Sequence, residues 1–229
     1  MVLKRKTPMK KRMRKPRKTF KRKPRYQVNI IDSTVRPQRL IVKLPYFQSG
    51  QLTSPVGSYV GQLFNLNSIY DPDRTGTGHQ PLGADQYATF YNRYRVFKVD
   101  YVLTLTNADP AQPADIAIAA TNQVLSASDD SVFENPNSYY VSLAPRDGSA
   151  SRKVVKGSIY LPRVLGQTGS AYKANENTSG VIGTTSPNEL LIHNIIATSV
   201  IDGQPVNVCY SIKYIYHTEL FDADVLPAS

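Results

Sequence analysis

The chain lacks tryptophan and has one cysteine, Cys209. A lone cysteine excludes an internal disulfide and any thiolate zinc cluster, and it suits a reducing compartment. Histidine is scarce as well. His79, His193 and His217 are scattered, with no second histidine at metal-ligand spacing. No apolar run reaches the roughly 18 residues that cross a bilayer. No apolar segment follows the charged N-terminus as in a secretory signal, and the amphipathic spacing of a transit peptide is missing. Gly76-Thr77-Gly78 is followed by neither Lys-Ser/Thr nor a helix, so it is not a phosphate loop. No Gly-x-Ser-x-Gly elbow is present, and Cys209 has no nucleophile signature around it. An enzyme needs a convergent acid–base group, and none stands at recognisable spacing. The sequence therefore reads as non-enzymatic, with no cofactor.

The last shortage is local. No acid occurs before Asp32. Over that stretch Lys4, Arg5, Lys6, Lys10, Lys11, Arg12, Arg14, Lys15, Arg17, Lys18, Lys21, Arg22, Lys23 and Arg25 supply 14 of the chain's 28 basic side chains. The remainder of the 229 residues holds 14 basic against 17 acidic ones. The formal charge of +11 thus belongs to an arm, not to the body. Like charges this dense repel, and Pro8, Pro16 and Pro24 block a continuous helix, so residues 1–32 read as a disordered arm. The polyanion that suits it is single-stranded nucleic acid, bound through phosphates without sequence reading, because only Phe20 and Tyr26 offer rings for stacking. A membrane-binding arm would show an amphipathic helix or a lipidation motif. A basic cluster also serves as a nuclear localisation signal. Arg36 and Arg39 stand where arm meets body and are expected to add phosphate contacts.

Residues 33–229 suit one domain. Fifteen tyrosines and many Val, Ile and Thr lean towards strands. Alternation places strands at 39–44, 59–67, 95–106, 115–123, 153–161, 190–201 and 206–217, with 48–58 turn-rich and an eighth strand within 163–188. The 190–201 run is apolar enough to be buried on both faces. Asp202-Gly203 signals a hairpin turn. Tyr87, Phe90, Tyr91 and Tyr94 fall at i, i+3, i+4 and i+7, which predicts one short helix near 85–94 that packs its rings on the sheet. Ser128 is placed to cap a short helical turn that Pro136 ends. Too few helices remain for parallel crossovers, and the loops are too uneven for an immunoglobulin-type sandwich. The expected fold is all-β, an eight-stranded antiparallel jelly roll with long loops.

Minor candidates carry plainer alternatives. Asp71 and Asp73 offer hard oxygens for a cation at a subunit junction, against a turn organised by their side chains; Asp129 and Asp130 are similar. His79 reads as a hydrogen-bonding residue of its glycine-rich loop, or as a subunit or phosphate contact. His193 reads as a satisfied core residue, and His217 as exposed. Asn177-Thr178-Ser179 matches a glycosylation acceptor by chance.

The stretches Phe64 to Asp73, Gly76 to Pro81 and Tyr91 to Val96, behind a basic arm, resemble capsid proteins of small circular, Rep-encoding single-stranded DNA viruses, the circovirus-like group. The arm is shorter and richer in lysine than theirs. The resemblance implies a jelly-roll subunit that assembles with copies of itself into an icosahedral shell, a circular single-stranded DNA genome, an inward arm, and import factors of the host nucleus as partners. Virion and host nucleus are the implied locations. Sixty arms would bring about 840 cations, the scale of roughly a thousand nucleotides. A shell of a positive-strand RNA virus is the alternative, because such arms do not distinguish sugars. A non-capsid nucleic-acid-binding protein is a further one, but it calls for basic residues on the body too.

Overall fold

The computed structural model describes residues 37–55, 58–76, 78–125, 131–201 and 203–223. The arm, including Lys4 to Arg25, and Arg36 lie outside them. The chain divides into Met1–Ser33 and Thr34–Ser229, and every element below belongs to the second unit.

Eight strands make two antiparallel sheets. Sheet A runs in the order β1 (Leu40–Ser54), β9 (Val206–Ala223), β3 (Tyr91–Asn107), β6 (Arg152–Tyr160). Sheet B runs β2 (Val60–Asn65), β8 (Ile192–Ser199), β4 (Ala114–Thr121), β5 (Ser138–Leu143). The pairs β1·β9, β2·β8, β3·β6 and β4·β5 nest like one long hairpin folded over itself. That nesting is the jelly roll. A two-residue strand, β7 (Gly180–Val181), adds to the start of β3.

Period-two patterning drives the packing. On β9 the residues Val206, Val208, Tyr210, Ile212, Tyr214, Tyr216 and Leu220 face inward and are buried. They meet Leu44, Tyr46 and Leu52 of β1, Val99, Leu103 and Leu105 of β3, and Ile116, Ile195 and Phe64 of sheet B. β8 is buried on both faces: Ile195 and Ala197 join the main core, while Ile196 packs with Ala117 and Val132 on the other side.

Several expectations change. The helix expected near 85–94 is α1 (Ala84–Ala88), five residues long, and Tyr91 and Tyr94 belong to β3. A single turn is poorly nucleated, and β9 runs on far enough for Ala223 to pair with Tyr91. β1 continues through the turn-rich 48–54, because each residue to Ser54 has a partner on β9. The eighth long strand is β5, at a stretch where none was expected, and the segment 163–188, where the eighth was placed, supplies only the two-residue β7. That segment is not a surface excursion throughout. It follows α3 (Leu161–Val164) with α4 (Gly169–Ala174) and buries Tyr172, Thr178 and Ile182. Gly203 does take a positive φ of 73°, yet the turn joins two different sheets rather than a hairpin. The short helix before Pro136 is α2 (Ser131–Glu134); Ser128 lies outside the described residues.

Candidate nucleic-acid interface

The strands sort the body's charge. None of β2, β4, β5 and β8 carries Lys or Arg. Eight of the 14 basic residues outside the arm project from the outward face of sheet A: Arg39, Lys43, Arg93, Arg95, Lys98, Arg152, Lys156 and Lys213. Register sets them in cross-strand rows. One row reads Lys43, His217, Lys98, Tyr160, and another Phe47, Lys213, Val102, Lys156. The acids on these outward positions are Asp100 and Glu219.

Lys98 reaches this face because of a bulge. The register shifts between Val96 and Lys98. The shift lets Arg93 and Arg95 before it, and Lys98 and Asp100 after it, point the same way. Lys43, Arg152, Lys156 and Lys213 are exposed. Within each row the lysines stand two strands apart, about 10 Å, and their mutual repulsion is relieved when an anion lies over them.

Both acids are already committed. Asp100 accepts from Ser158 Oγ at 2.7 Å, meets His217 Nε2 at 2.7 Å and pairs with Lys98 Nζ at 2.9 Å. The Ser158 hydrogen bond is the largest influence; together with those from Lys98 and His217 it outweighs the opposing effect of burial and holds the carboxyl well below the usual carboxylate range. His217 is therefore an engaged, half-buried residue, not the exposed strand end expected. Glu219 is buried, and its Oε1 receives Arg39 and Lys173 at 3.3 Å each. Around Phe221 stand three guanidinium groups, those of Arg39, Arg93 and Arg95, at 5.2–5.9 Å from the ring.

These arginines differ in availability. Arg95 is buried; its Nε donates to Thr178 Oγ1 at 3.0 Å, and burial lowers its pKa. Arg93 pairs with Glu176 at 2.5 Å. Arg39 stays 65% exposed while holding Glu219, so it remains accessible to a phosphate. It is the one described residue among the expected nucleic-acid contacts.

The other candidates resolve simply. Asp73 Oδ1 accepts from Gln62 Nε2 at 2.7 Å and from the Thr75 amide at 3.0 Å. The Asp71 carbonyl accepts from Asn65 Nδ2 at 2.6 Å, and burial beside Asp73 raises the Asp71 carboxyl. Both act as turn residues. Among the described residues no three His, Cys, Asp or Glu converge for a metal; Asp129 and Asp130 are not among them. His79 lies flat on Tyr46, with ring centres 4.8 Å apart. With Pro45, Phe47 and Lys213 it borders a pocket of about 270 Å³. His193 is a core residue whose Nδ1 shares a 2.7 Å hydrogen bond with Tyr214 Oη.

Sequence reasoning missed the cationic face. The signal was present in the parity of Arg39 with Lys43 and of Arg152 with Lys156. Total charge hid it, since the body balance is negative.

No family model matches the chain, and no curated protein does. Among solved structures it is similar to mud crab tombus-like virus, with 10% identity over 85% of this chain and 95% of that one and a TM-score of 0.48. It is also similar to turnip yellow mosaic virus, with 10% identity over 87% and 89% and a TM-score of 0.44. A third is Desmodium yellow mottle tymovirus, with 11% identity over 86% and 95% and a TM-score of 0.39.

Proposed function

We propose that this chain is a viral capsid protein that assembles with copies of itself into a closed shell around nucleic acid. The observation that carries this reading is the charge partition within the jelly roll. One sheet presents lysines and arginines, and the other has none on its strands. A wall subunit needs that asymmetry, with cations towards a packaged polyanion and a neutral side away from it. The basic arm, which precedes Arg39 in the sequence, adds a second and larger set of charges of the same sign. Residues 1–32 form the packaging arm and residues 33–229 the shell domain. No catalytic role is assigned.

The finer reading follows the sequence resemblance: an icosahedral shell of sixty copies, a single-stranded DNA genome, and import into the host nucleus through the arm. The test is to express the full chain and image it, then treat the particles with nucleases before and after opening them. Closed isometric particles whose nucleic acid becomes DNase-sensitive only on opening are expected. A chain that stays monomeric at moderate salt, with and without single-stranded nucleic acid, overturns the capsid reading. RNase sensitivity instead would keep the shell and replace the genome type.

A further inference from the structure

One part of sheet A's outward face is not a row of charges. Ile41 of β1, Phe97 of β3, Tyr160 of β6, and Pro162, Ser170 and Lys173 from the helical segment beside them enclose a cavity of about 470 Å³. Its walls are aromatic and aliphatic, and they are open to solvent: Ile41 is 63% and Tyr160 42% exposed. Phe97 is the extra residue of the β3 bulge. The bulge sends its ring onto this face, where it meets the edge of His217 at 6.1 Å. α4 opens with Gly169, where a Cβ would come within 2.8 Å of Tyr160 Oη. The helix therefore approaches the tyrosine ring as it does because residue 169 has no side chain.

Cations stand around this apolar space. Lys173 lines it. Lys173 and Arg39 share a single carboxylate oxygen of Glu219, so positive charge is left over at the mouth. Lys98 is adjacent to Phe97 and is the register partner of Tyr160.

We infer that this cavity is a base-binding pocket for single-stranded nucleic acid. An unpaired base enters between Phe97 and Tyr160, and its flanking phosphates meet Lys173, Arg39 and Lys98. The inference deepens the capsid reading and rests on it. A flat ring flanked by negative charge uses both the aromatic walls and the positive charge left over at the mouth. A paired base cannot enter, because its faces are stacked and its edges are bonded. Tyr160 and Ser170 offer the cavity rotatable hydroxyls, which either donate or accept, so any base is accepted.

Full-length protein is photocrosslinked to a 5-iodouracil-bearing 12-mer, and the adducts are mapped by mass spectrometry. Binding of single-stranded and duplex 12-mers is measured by fluorescence anisotropy in about 0.4 M salt, where phosphate contacts of the arm weaken. Adducts at Tyr160 or Phe97 are expected. Tyr160→Ala should weaken single-strand binding about ten-fold with duplex binding unchanged, and Tyr160→Phe, which keeps the ring, should restore it. Adducts confined to Phe20 or Tyr26, with Tyr160→Ala equal to the parent protein while Lys156→Glu/Lys213→Glu weakens binding, overturn the pocket and leave the capsid reading standing. Tighter binding of thymidine monophosphate than of the 12-mer makes the cavity a nucleotide site and also overturns it. If neither oligonucleotide binds and charge reversal changes nothing, the nucleic-acid reading falls with it.

Discussion

His193 shows how one buried group ties stability to pH. It is 1% exposed on β8, bonded to Tyr214 Oη and edge-on to Tyr101 at 4.9 Å. Burial lowers its pKa to about 3, against about 6.5 in an unfolded chain. The unfolded state then takes up a proton that the folded state refuses. Stability is fully present above about pH 6.5 and declines as pH falls towards 3, by an amount on the order of 4 kcal/mol at the lower end. A His193→Gln variant should start less stable at neutral pH and lose less on acidification. Urea melts at pH 7 and pH 4.5 measure both slopes. Parallel slopes for the two proteins would remove the assignment. Its role was legible from the surrounding apolar run Leu190 to Ile201. The role of His217 was not, because its partner Asp100 lies 117 residues away and only the sheet register brings the two together.

Strand length is decided by partners more than by local propensity. β8 and β9 were readable because their own residues are apolar or alternate cleanly. The second half of β1, Gln48-Ser49-Gly50-Gln51, has the composition of a turn and is a strand only because β9 lies beside it. β5 escaped notice for the opposite reason: Tyr139 and Tyr140 are both half-exposed, so its alternation is weak. Gly50 is required by this pairing. It stands opposite Tyr210, and a Cβ there would come within 2.6–2.9 Å of the Tyr210 ring and hydroxyl. That ring is buried and packs edge-on against Phe64 at 6.2 Å, so it has little room to give. Gly50→Val should therefore lower stability by about 1–3 kcal/mol, although valine has the higher strand propensity. In a Tyr210→Ala background the same change should cost clearly less. Denaturant melts of the four proteins close the cycle, and an equal cost in both backgrounds would show that the ring is not the obstacle.

At the scale of the molecule, the body's 14 basic and 17 acidic residues suggest a subunit that leaves nucleic acid to its arm. The fold overrules that inference by sorting. Each of β1, β9, β3 and β6 in sheet A adds one or more outward cations, the bulge at Val96/Lys98 keeps Lys98 in the set, and no strand of sheet B contributes any. Parity within a strand is visible in a sequence, but the bulge and the order of strands in a sheet are not, so the face appears only once the chain is folded. The sorting makes position separable from net charge. Lys43→Glu/Lys156→Glu/Lys213→Glu, with the arm intact, reverses three exposed cations of the face. The set Arg74→Glu/Arg146→Glu/Lys153→Glu makes the same net change elsewhere on the body. If the face meets phosphates, the first set should flatten the dependence of log affinity for single strands on log salt by about 2, at roughly 0.7 per lost phosphate contact. Its particles should also carry less nucleic acid, read as a lower ratio of absorbance at 260 to 280 nm. The second set leaves every cation of the face in place, Lys153 having the opposite parity to Arg152 on β6, and should leave the slope near that of the unaltered protein. Equal slopes for the two sets would mean that net charge alone governs binding and that the ordered face of sheet A has no part in it.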